Sequence, residues 1–142
     1  MEKRASYTKI AAEMLRRVPL VEIAKETLQG EICYLREELN ACRLAGLVGN
    51  DREARRDKLM SKLEDASFRL RELEKETEKI RQGMEALNPY QQDLLEMFFI
   101  RRCKDCIWEL SERYGKERSA IYRDRKAALE TFTIIALGAL PI

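Results

Sequence analysis

The sequence predicts an all-α protein in which a long antiparallel helical hairpin, a coiled coil, precedes a helix-turn-helix domain. Few stretches alternate apolar and polar residues with a period of two, so strands are not expected. Two long segments repeat apolar residues in alternating steps of three and four, as coiled coils do. A third segment, residues 105–129, has two short amphipathic stretches around a glycine, which is typical of a helix-turn-helix. A chain of 142 residues fits one domain or two small pieces, and we expect a boundary between residues 1–87 and 88–142.

The first coiled-coil segment has a predicted break at Pro19. Because proline lacks a backbone donor, a short helix over about residues 6–17 should precede a longer one over about residues 19–44. The apolar seam steps along both helices, and its one charged member is Lys25. The seam consists of Tyr7, Ala11, Met14, Val18, Val21, Lys25, Leu28, Ile32, Leu35, Leu39 and Cys42.

The second coiled-coil segment is a long helix expected over about residues 51–87. Residues 45–51 hold two glycines and an Asn-Asp pair, which makes them the clearest loop of the chain. Because this loop is short, the two seams should pack antiparallel, with Lys25 in the same layer as Thr77. A parallel homodimer of the second helix is the competing arrangement. The second seam consists of Leu59, Leu63, Ala66, Leu70, Leu73, Thr77, Ile80, Met84 and Leu87.

A new helix is predicted to begin at Pro89, where no amide donor is needed, with Asn88 as its cap. Its apolar face should supply the core on which the helix-turn-helix packs, and Trp108 and Tyr114 are expected to be core or rim aromatics. The residues of that face are Tyr90, Leu94, Leu95, Phe98 and Phe99.

The helix-turn-helix has a first helix over about residues 106–113, and Gly115 is expected to end it in the left-handed region. The second helix, residues 117–130, should bury Ala120, Ile121, Ala128 and Leu129. Residues 113–126 carry six cations and two anions, whereas the whole chain has a net charge of only +2. A surplus of this kind on one helix suits contact with phosphates. A helical corner that never touches DNA is the alternative interpretation.

Five of the seven candidate DNA-binding residues lie on the exposed side of the second helix, and the other two, Arg113 and Lys116, precede it. The side chains expected to reach base edges are Arg118, Ser119, Tyr122 and Arg123. Those better placed for phosphates, which position a protein without specifying sequence, are Arg113, Lys116 and Lys126.

Two stretches resemble the promoter-reading module of bacterial sigma factors, region four, and the related domain of phage late-gene transcriptional regulators of the RinA and ArpU type. They are LNPYQQDLLEMFFI, residues 87–100, and IWELSERYGKERSAIYRDRKAALETF, residues 107–132. The positions that carry the resemblance are Leu110-Ser111, Gly115, Ile121-Tyr122-Arg123 and Ala128-Leu129. The stretch MLRRVPLVEIAKETLQGEICYLREEL is also similar to the N-terminal helices of such phage regulators.

Two positions depart from the pattern of these families. Lys116 follows the glycine where an aliphatic residue is usual. Asp124 stands where an apolar or basic residue is usual, and it could either repel phosphate or pair with Arg123 or Lys126 and orient them.

The resemblance implies a sequence-specific DNA-binding transcriptional regulator, phage or prophage encoded, that reads promoter DNA with residues 117–130. The partners it implies are double-stranded DNA and, as a further contact, RNA polymerase, in the cytoplasm of a bacterial host. Two other functions stay open. One is the small subunit of a phage terminase, which recognises DNA for packaging and assembles as a ring. The other is a helical adaptor that does not bind DNA.

The sequence predicts no enzymatic activity, no cofactor and no metal site. It contains no histidine, no glycine-rich phosphate loop and no nucleophile with a nearby base. Cys103 and Cys106 have the spacing of half a zinc site, but a full site needs four ligands. The cysteines are expected to be free thiols of a reducing cytosol. No segment is apolar enough to cross a membrane, and the N-terminus lacks the apolar core of a signal peptide.

The last residues, 131–142, carry no charge. They should extend the second helix to about Leu137, with Gly138 ending it. Their apolar side chains are expected to pack within the chain, with a subunit interface as the alternative. A homo-oligomer could therefore form through the coiled coil or through this C-terminus.

Overall fold

The computed structural model describes residues 6–44 and 50–140, and within these residues it contains helices and no strand. The six α-helices are α1 (Tyr7–Arg16), α2 (Val18–Leu44), α3 (Asn50–Glu85), α4 (Pro89–Leu95), α5 (Cys106–Tyr114) and α6 (Arg118–Leu137). A single π-helical turn, Glu96–Ile100, continues α4 directly. The all-α prediction is therefore confirmed for this part of the chain. Most of the predicted loop at residues 45–51 lies outside the described residues.

The helix ends follow local sequence signals. Ser6 caps α1 by accepting a hydrogen bond from the backbone N–H of Lys9. Helix α2 begins one residue before Pro19, so the proline occupies the first turn, where its missing N–H costs no helical bond. The cap predicted at Asn88 is confirmed: its Oδ1 accepts from the N–H of Gln91 at 2.8 Å, and the Gln91 side chain accepts from the N–H of Asn88 at 3.1 Å.

The described chain forms two compact units. The first, which we call the core unit, comprises residues 6–19 and 76–140, and the second, the two-helix unit, comprises residues 20–75. This division differs from the boundary at residues 87 and 88 expected from the sequence. The physical reason is that α1 and the C-terminal end of α3 share an apolar cluster with α6, which no local pattern reveals.

The main apolar cluster of the core unit gathers side chains from α1, α3, α4, the π-helical turn and α6. Leu15, Leu95 and Phe132 are fully buried in it, beside Ile80 and Ala128. Gly83 allows α3 to approach α6 closely, because a Cβ at this position would lie 2.6 Å from the ring of Phe132. A fully buried ring cannot move aside easily, so the contact between α3 and α6 requires a glycine here.

The two-helix unit is held together by apolar side chains that all belong to the predicted seams. Its cluster contains Leu28, Ile32, Leu35, Ala66, Leu59, Leu63, Leu70 and Leu73. Two ion pairs cross between the helices, Glu31 with Arg69 at 3.8 Å and Glu38 with Arg55 at 2.9 Å. Glu31 precedes Glu38 in α2, whereas its partner Arg69 follows Arg55 in α3. The two helices therefore run antiparallel within this unit.

The apolar C-terminal part of α6 packs on one side only. Phe132, Thr133 and Ala136 are buried, and the Thr133 hydroxyl donates to the carbonyl of Leu129 at 2.7 Å. Ile134 and Ile135 are more than two fifths exposed. Helix α6 ends at Leu137 as predicted, because the glycine after it adopts a φ of 62°. Across the described residues, no helix has the length and hydropathy that a membrane span requires.

Candidate nucleic-acid interface

A three-residue turn joins α5 to α6. Gly115 ends α5 with φ 62° and ψ 36°, and its N–H donates to the carbonyl of Ser111. The Ser111 hydroxyl then donates to the carbonyl of Lys116, which closes the turn from the other side. Because only glycine adopts this φ without strain, Gly115 fixes the angle at which α6 leaves α5.

A second apolar cluster lies beneath this turn and anchors the inner side of α6. It brings together Leu94, Met97, Cys106, Leu110 and Ile121, which are all buried. Among the residues expected on the inner side of α6, Ile121 and Ala128 are fully buried, whereas Ala120 and Leu129 are half-buried. Helix α6 is therefore held along one side, and its opposite side faces solvent.

All seven candidate DNA-binding side chains are exposed: Arg113, Lys116, Arg118, Ser119, Tyr122, Arg123 and Lys126. Ser119, Arg123 and Lys126 follow one another in steps of four and three, so they share one stripe of α6. Arg118 and Tyr122, four residues apart, flank that stripe. In the described part of the chain, neither Arg118 nor Lys126 has a carboxylate within ion-pair distance, so their charges are available to a ligand.

Arg113 and Lys116 differ from the other candidates, because carboxylates already hold them. The guanidinium of Arg113 lies 3.5 Å from Asp93 and 3.1 Å from Glu109. The ammonium of Lys116 lies 3.2 Å from Asp124 and 4.4 Å from the ring centre of Tyr90. These two cations stabilise the turn, and a phosphate would have to compete for them.

Asp124 accepts hydrogen bonds from the Tyr90 hydroxyl at 2.8 Å and from Lys116. The Tyr90 hydroxyl, followed by Lys116 and Arg123, holds the pKa of Asp124 below its ordinary value. Burial and the neighbouring carboxylate raise the pKa of Tyr90. The direct partners of Asp124 are thus not the two cations of α6 expected from the sequence. The carboxylate instead ties α6 to α4 and to the turn.

The aromatic residues of α4 and α5 complete this polar network. The Tyr114 hydroxyl donates to Asp93, and the Tyr90 and Tyr114 rings meet edge to face with their centres 4.6 Å apart. Tyr114 is half-buried, in accordance with the expectation of a core or rim aromatic. Trp108, by contrast, is 58% exposed. The same expectation was therefore wrong for Trp108, because other side chains of α5 fill the space beneath this helix.

Sequence reasoning missed the position of Arg125. Its guanidinium lies over three rings, those of Phe98 at 4.6 Å, Tyr122 at 5.1 Å and Phe99 at 5.9 Å. Arg125 contributed to the charge surplus seen in the sequence, but it packs on aromatic faces and supports the ring of Tyr122 from behind. The adjacent phenylalanines at 98 and 99 were the only sequence signal for such a pocket.

The Cys103-x-x-Cys106 motif leads into α5, and Cys106 is the first residue of that helix. The buried Cys106 thiol donates to the carbonyls of Met97 at 3.1 Å and Cys103 at 2.6 Å. Burial, followed by the neighbouring Cys103, raises the pKa of the Cys106 thiol to about 11. Within residues 6–44 and 50–140, no three potential metal ligands of the His, Cys, Asp or Glu type come together.

The chain matches no family model, no curated protein and no solved structure with which it was compared.

Proposed function

We propose that this chain is a sequence-specific DNA-binding transcriptional regulator that reads promoter DNA with the exposed side of α6. The observation that carries the proposal is the division of α6 into a buried and a cationic side. Ile121 and Ala128 are fully buried, while Arg118, Arg123 and Lys126 are exposed on the other side. A helix is about 10–12 Å across, which fits a major groove about 12 Å wide.

The stripe formed by Ser119, Arg123 and Lys126 supplies three kinds of contact. Arg123 lies at its centre, and a guanidinium can donate two hydrogen bonds to the O6 and N7 atoms of guanine. Ser119, one turn earlier, offers a hydroxyl that donates and accepts. Lys126, one turn later, is a point charge suited to a phosphate. Tyr122 is 47% exposed beside this stripe, and the packing of Arg125 behind it gives its ring a defined orientation.

In this proposal α5, the turn and α6 form a helix-turn-helix like that of sigma region four, and α2 and α3 form the hairpin arm of a phage-type regulator. The Gly115 turn, the Asn88-Pro89 start of α4 and the antiparallel packing within residues 20–75 support this interpretation. RNA polymerase is the protein partner that the sigma-like resemblance suggests. A small terminase subunit and a helical adaptor are the competing functions.

We assign a second copy of the chain as the partner of an exposed apolar patch in the two-helix unit, which is separate from the buried seams. Leu20, Ile23 and Tyr34, together with Phe68 of α3, are each more than half exposed in the two-helix unit. Side chains of this size expose on the order of 100 Å² each, so the four provide roughly 400 Å² of apolar surface. A standard interface covers about 800 Å² on each partner, of which slightly more than half is apolar.

The experiment selects bound sequences from a library of randomised double-stranded DNA, using the full chain, and then measures affinity by fluorescence anisotropy. We expect an enriched motif, and Arg123→Ala should weaken binding to it by about 1–3 kcal/mol. Lys79→Ala is the matched control, because Lys79 is an exposed cation of α3 without an ion pair in the described residues. No enrichment, together with affinity that does not depend on salt, would favour the adaptor. A mass in solution of eight or more copies would favour the terminase subunit.

A further inference from the structure

Arginines without carboxylate partners line one groove of the two-helix unit. Arg36 and Arg43 of α2 face Arg52 and Arg56 of α3 across a groove of about 550 Å³. Asn40 and Met60 are among the other residues that line it, and none of its described lining residues is an aspartate or glutamate. Four arginine side chains, which stay charged at every physiological pH, therefore line one groove.

Three carboxylates of this unit pair with arginines outside the groove. Arg55 pairs with Glu38, and Arg69 pairs with Asp65 and Glu31. Within the described residues, none of the four groove arginines has a carboxylate oxygen within ion-pair distance. An ordinary charged helix surface mixes positive and negative side chains. The charged side chains of this groove are all positive, so they repel one another. Such an arrangement is favourable when a polyanion occupies the groove.

The row of donors extends beyond this groove. A neighbouring groove of about 630 Å³ shares Arg36 and Asn40 and adds Gln29, Ser67 and Arg71, with Glu37 as its one carboxylate. From Arg52 to Arg71, α3 rises about 28 Å. This length corresponds to roughly eight base pairs of duplex DNA, at about 3.4 Å of axial rise each. The row therefore suits an extended phosphate chain better than a single small anion.

We propose that this arginine groove binds the phosphate backbone of double-stranded DNA, as a contact additional to α6. Guanidinium groups donate paired hydrogen bonds to phosphate oxygens, which accounts for arginine at all four positions. Among the described residues no aromatic side chain lines either groove, so this surface lacks the stacking platforms with which proteins hold single strands. Contacts of this kind add affinity without adding sequence preference.

The test compares two double variants of the full chain on a duplex of arbitrary sequence about 40 base pairs long, from about 50 to 200 mM KCl. Arg36→Gln with Arg56→Gln should weaken binding and make the slope of log K against log[KCl] shallower by about two. Lys58→Gln with Lys62→Gln removes the same charge from exposed positions of the same unit outside both grooves. This control should leave the slope nearly unchanged. An equal response of the two double variants would overturn the proposal, because a general charge effect would explain both.

Two further measurements keep this inference separate from the role of α6. Arg36→Lys with Arg56→Lys keeps the charge but loses the planar fork, so the slope should persist while affinity falls; affinity equal to that of the parent chain would count against paired guanidinium contacts. A single strand of the same length should bind more weakly than the duplex, and tighter binding to it would overturn the assignment.

If the groove variants have no effect while Arg123→Ala weakens binding to the selected motif, the groove proposal fails and the proposed function stands. If the groove variants reduce binding but Arg123→Ala does not, the proposed function fails and the groove proposal stands.

Discussion

The hydroxyl of Tyr90 donates to the carboxylate of Asp124 at 2.8 Å, and this bond joins the start of α4 to the middle of α6. The same carboxylate accepts from Lys116 in the turn at 3.2 Å. One acidic side chain thus holds three elements together at the base of the proposed recognition surface. An acid within a cationic helix, which looks unfavourable for DNA binding in the sequence, has a structural role in orienting that helix.

Tyr90→Phe should lower the free energy of unfolding at pH 7 by about 1 kcal/mol, because Asp124 loses one of its two hydrogen-bond donors. The bond contributes stability while Asp124 is ionised, since it holds the carboxyl pKa below the ordinary 3.8. That contribution is fully present above pH 3.8 and disappears as the pH falls through the lowered pKa. Urea unfolding at pH 7 and at pH 2.5 measures the effect.

The difference between the parent chain and Tyr90→Phe should therefore shrink at the lower pH. Tyr7→Phe serves as the control, because Tyr7 is exposed at the start of α1 and has no role in the network around Asp124. A deficit of equal size at both pH values would show that lost packing, and not the bond to Asp124, causes the effect.

Gly83→Ala should destabilise the protein, whereas Gly30→Ala should stabilise it. Both glycines lie inside long helices, so each substitution gains about 0.5–1 kcal/mol in helix propensity. At Gly83 the new methyl group would lie 2.6 Å from the buried Phe132 ring, which costs about 1–3 kcal/mol of overpacking. At Gly30 nothing lies within 4 Å of the new atom. Thermal unfolding of the two variants should give shifts of opposite sign, and equal shifts would contradict the close approach of α3 and α6.

Arg125→Met and Lys126→Met should separate stability from DNA binding, although the two cations are neighbours. The first substitution removes a guanidinium from the faces of Phe98 and Tyr122, so unfolding should become easier by about 1 kcal/mol. The second removes an exposed charge, so stability should hold while the salt slope of DNA binding falls by about one. Calorimetry measures the stability of both variants, and fluorescence anisotropy measures the salt slope of their DNA binding. A salt slope reduced more by Arg125→Met than by Lys126→Met would contradict the assignment.

Ile23→Glu should prevent self-association through the exposed apolar patch formed by residues 20, 23, 34 and 68. A charge placed in the centre of an apolar interface loses its hydration without gaining a partner, so the association constant should fall at least tenfold. Sedimentation equilibrium of the parent chain and the variant measures this change. Ile135→Glu is the comparison, because it places the same charge on the exposed side of the apolar C-terminus. Loss of association in Ile135→Glu alone would move the interface to α6.

Local sequence signals predicted the helices well, because each depends on residues close together in the chain. The cap at Asn88, the glycine at 115 and the seam residues of α2 and α3 were all recognisable from spacing and residue type. The exposure of the five candidate residues on α6 also followed from its periodicity, since its inner side was marked by Ile121 and Ala128. What those residues bind remains a prediction.

The features that the sequence did not reveal depend on contacts between distant segments. The residues predicted to form one apolar face at 90–99 serve two clusters: Leu94 packs beneath the turn at Gly115, whereas Leu95 and Phe99 pack with α1. The partners of Asp124 and Arg125 come from α4 and the π-helical turn, about thirty residues earlier in the chain. Spacing within one helix carries no information about such partners.

The sharing of one apolar cluster by α1 and α6 bears on how this protein can be dissected. A fragment that begins at residue 88 would lack Leu15 and Ile80, so the fully buried ring of Phe132 would be uncovered to water. Such a truncated piece should aggregate or unfold even though it carries the whole of the proposed recognition surface. A minimal version for crystallisation with DNA therefore has to retain both ends of the polypeptide, with residues 6–19 linked to residues 76–140.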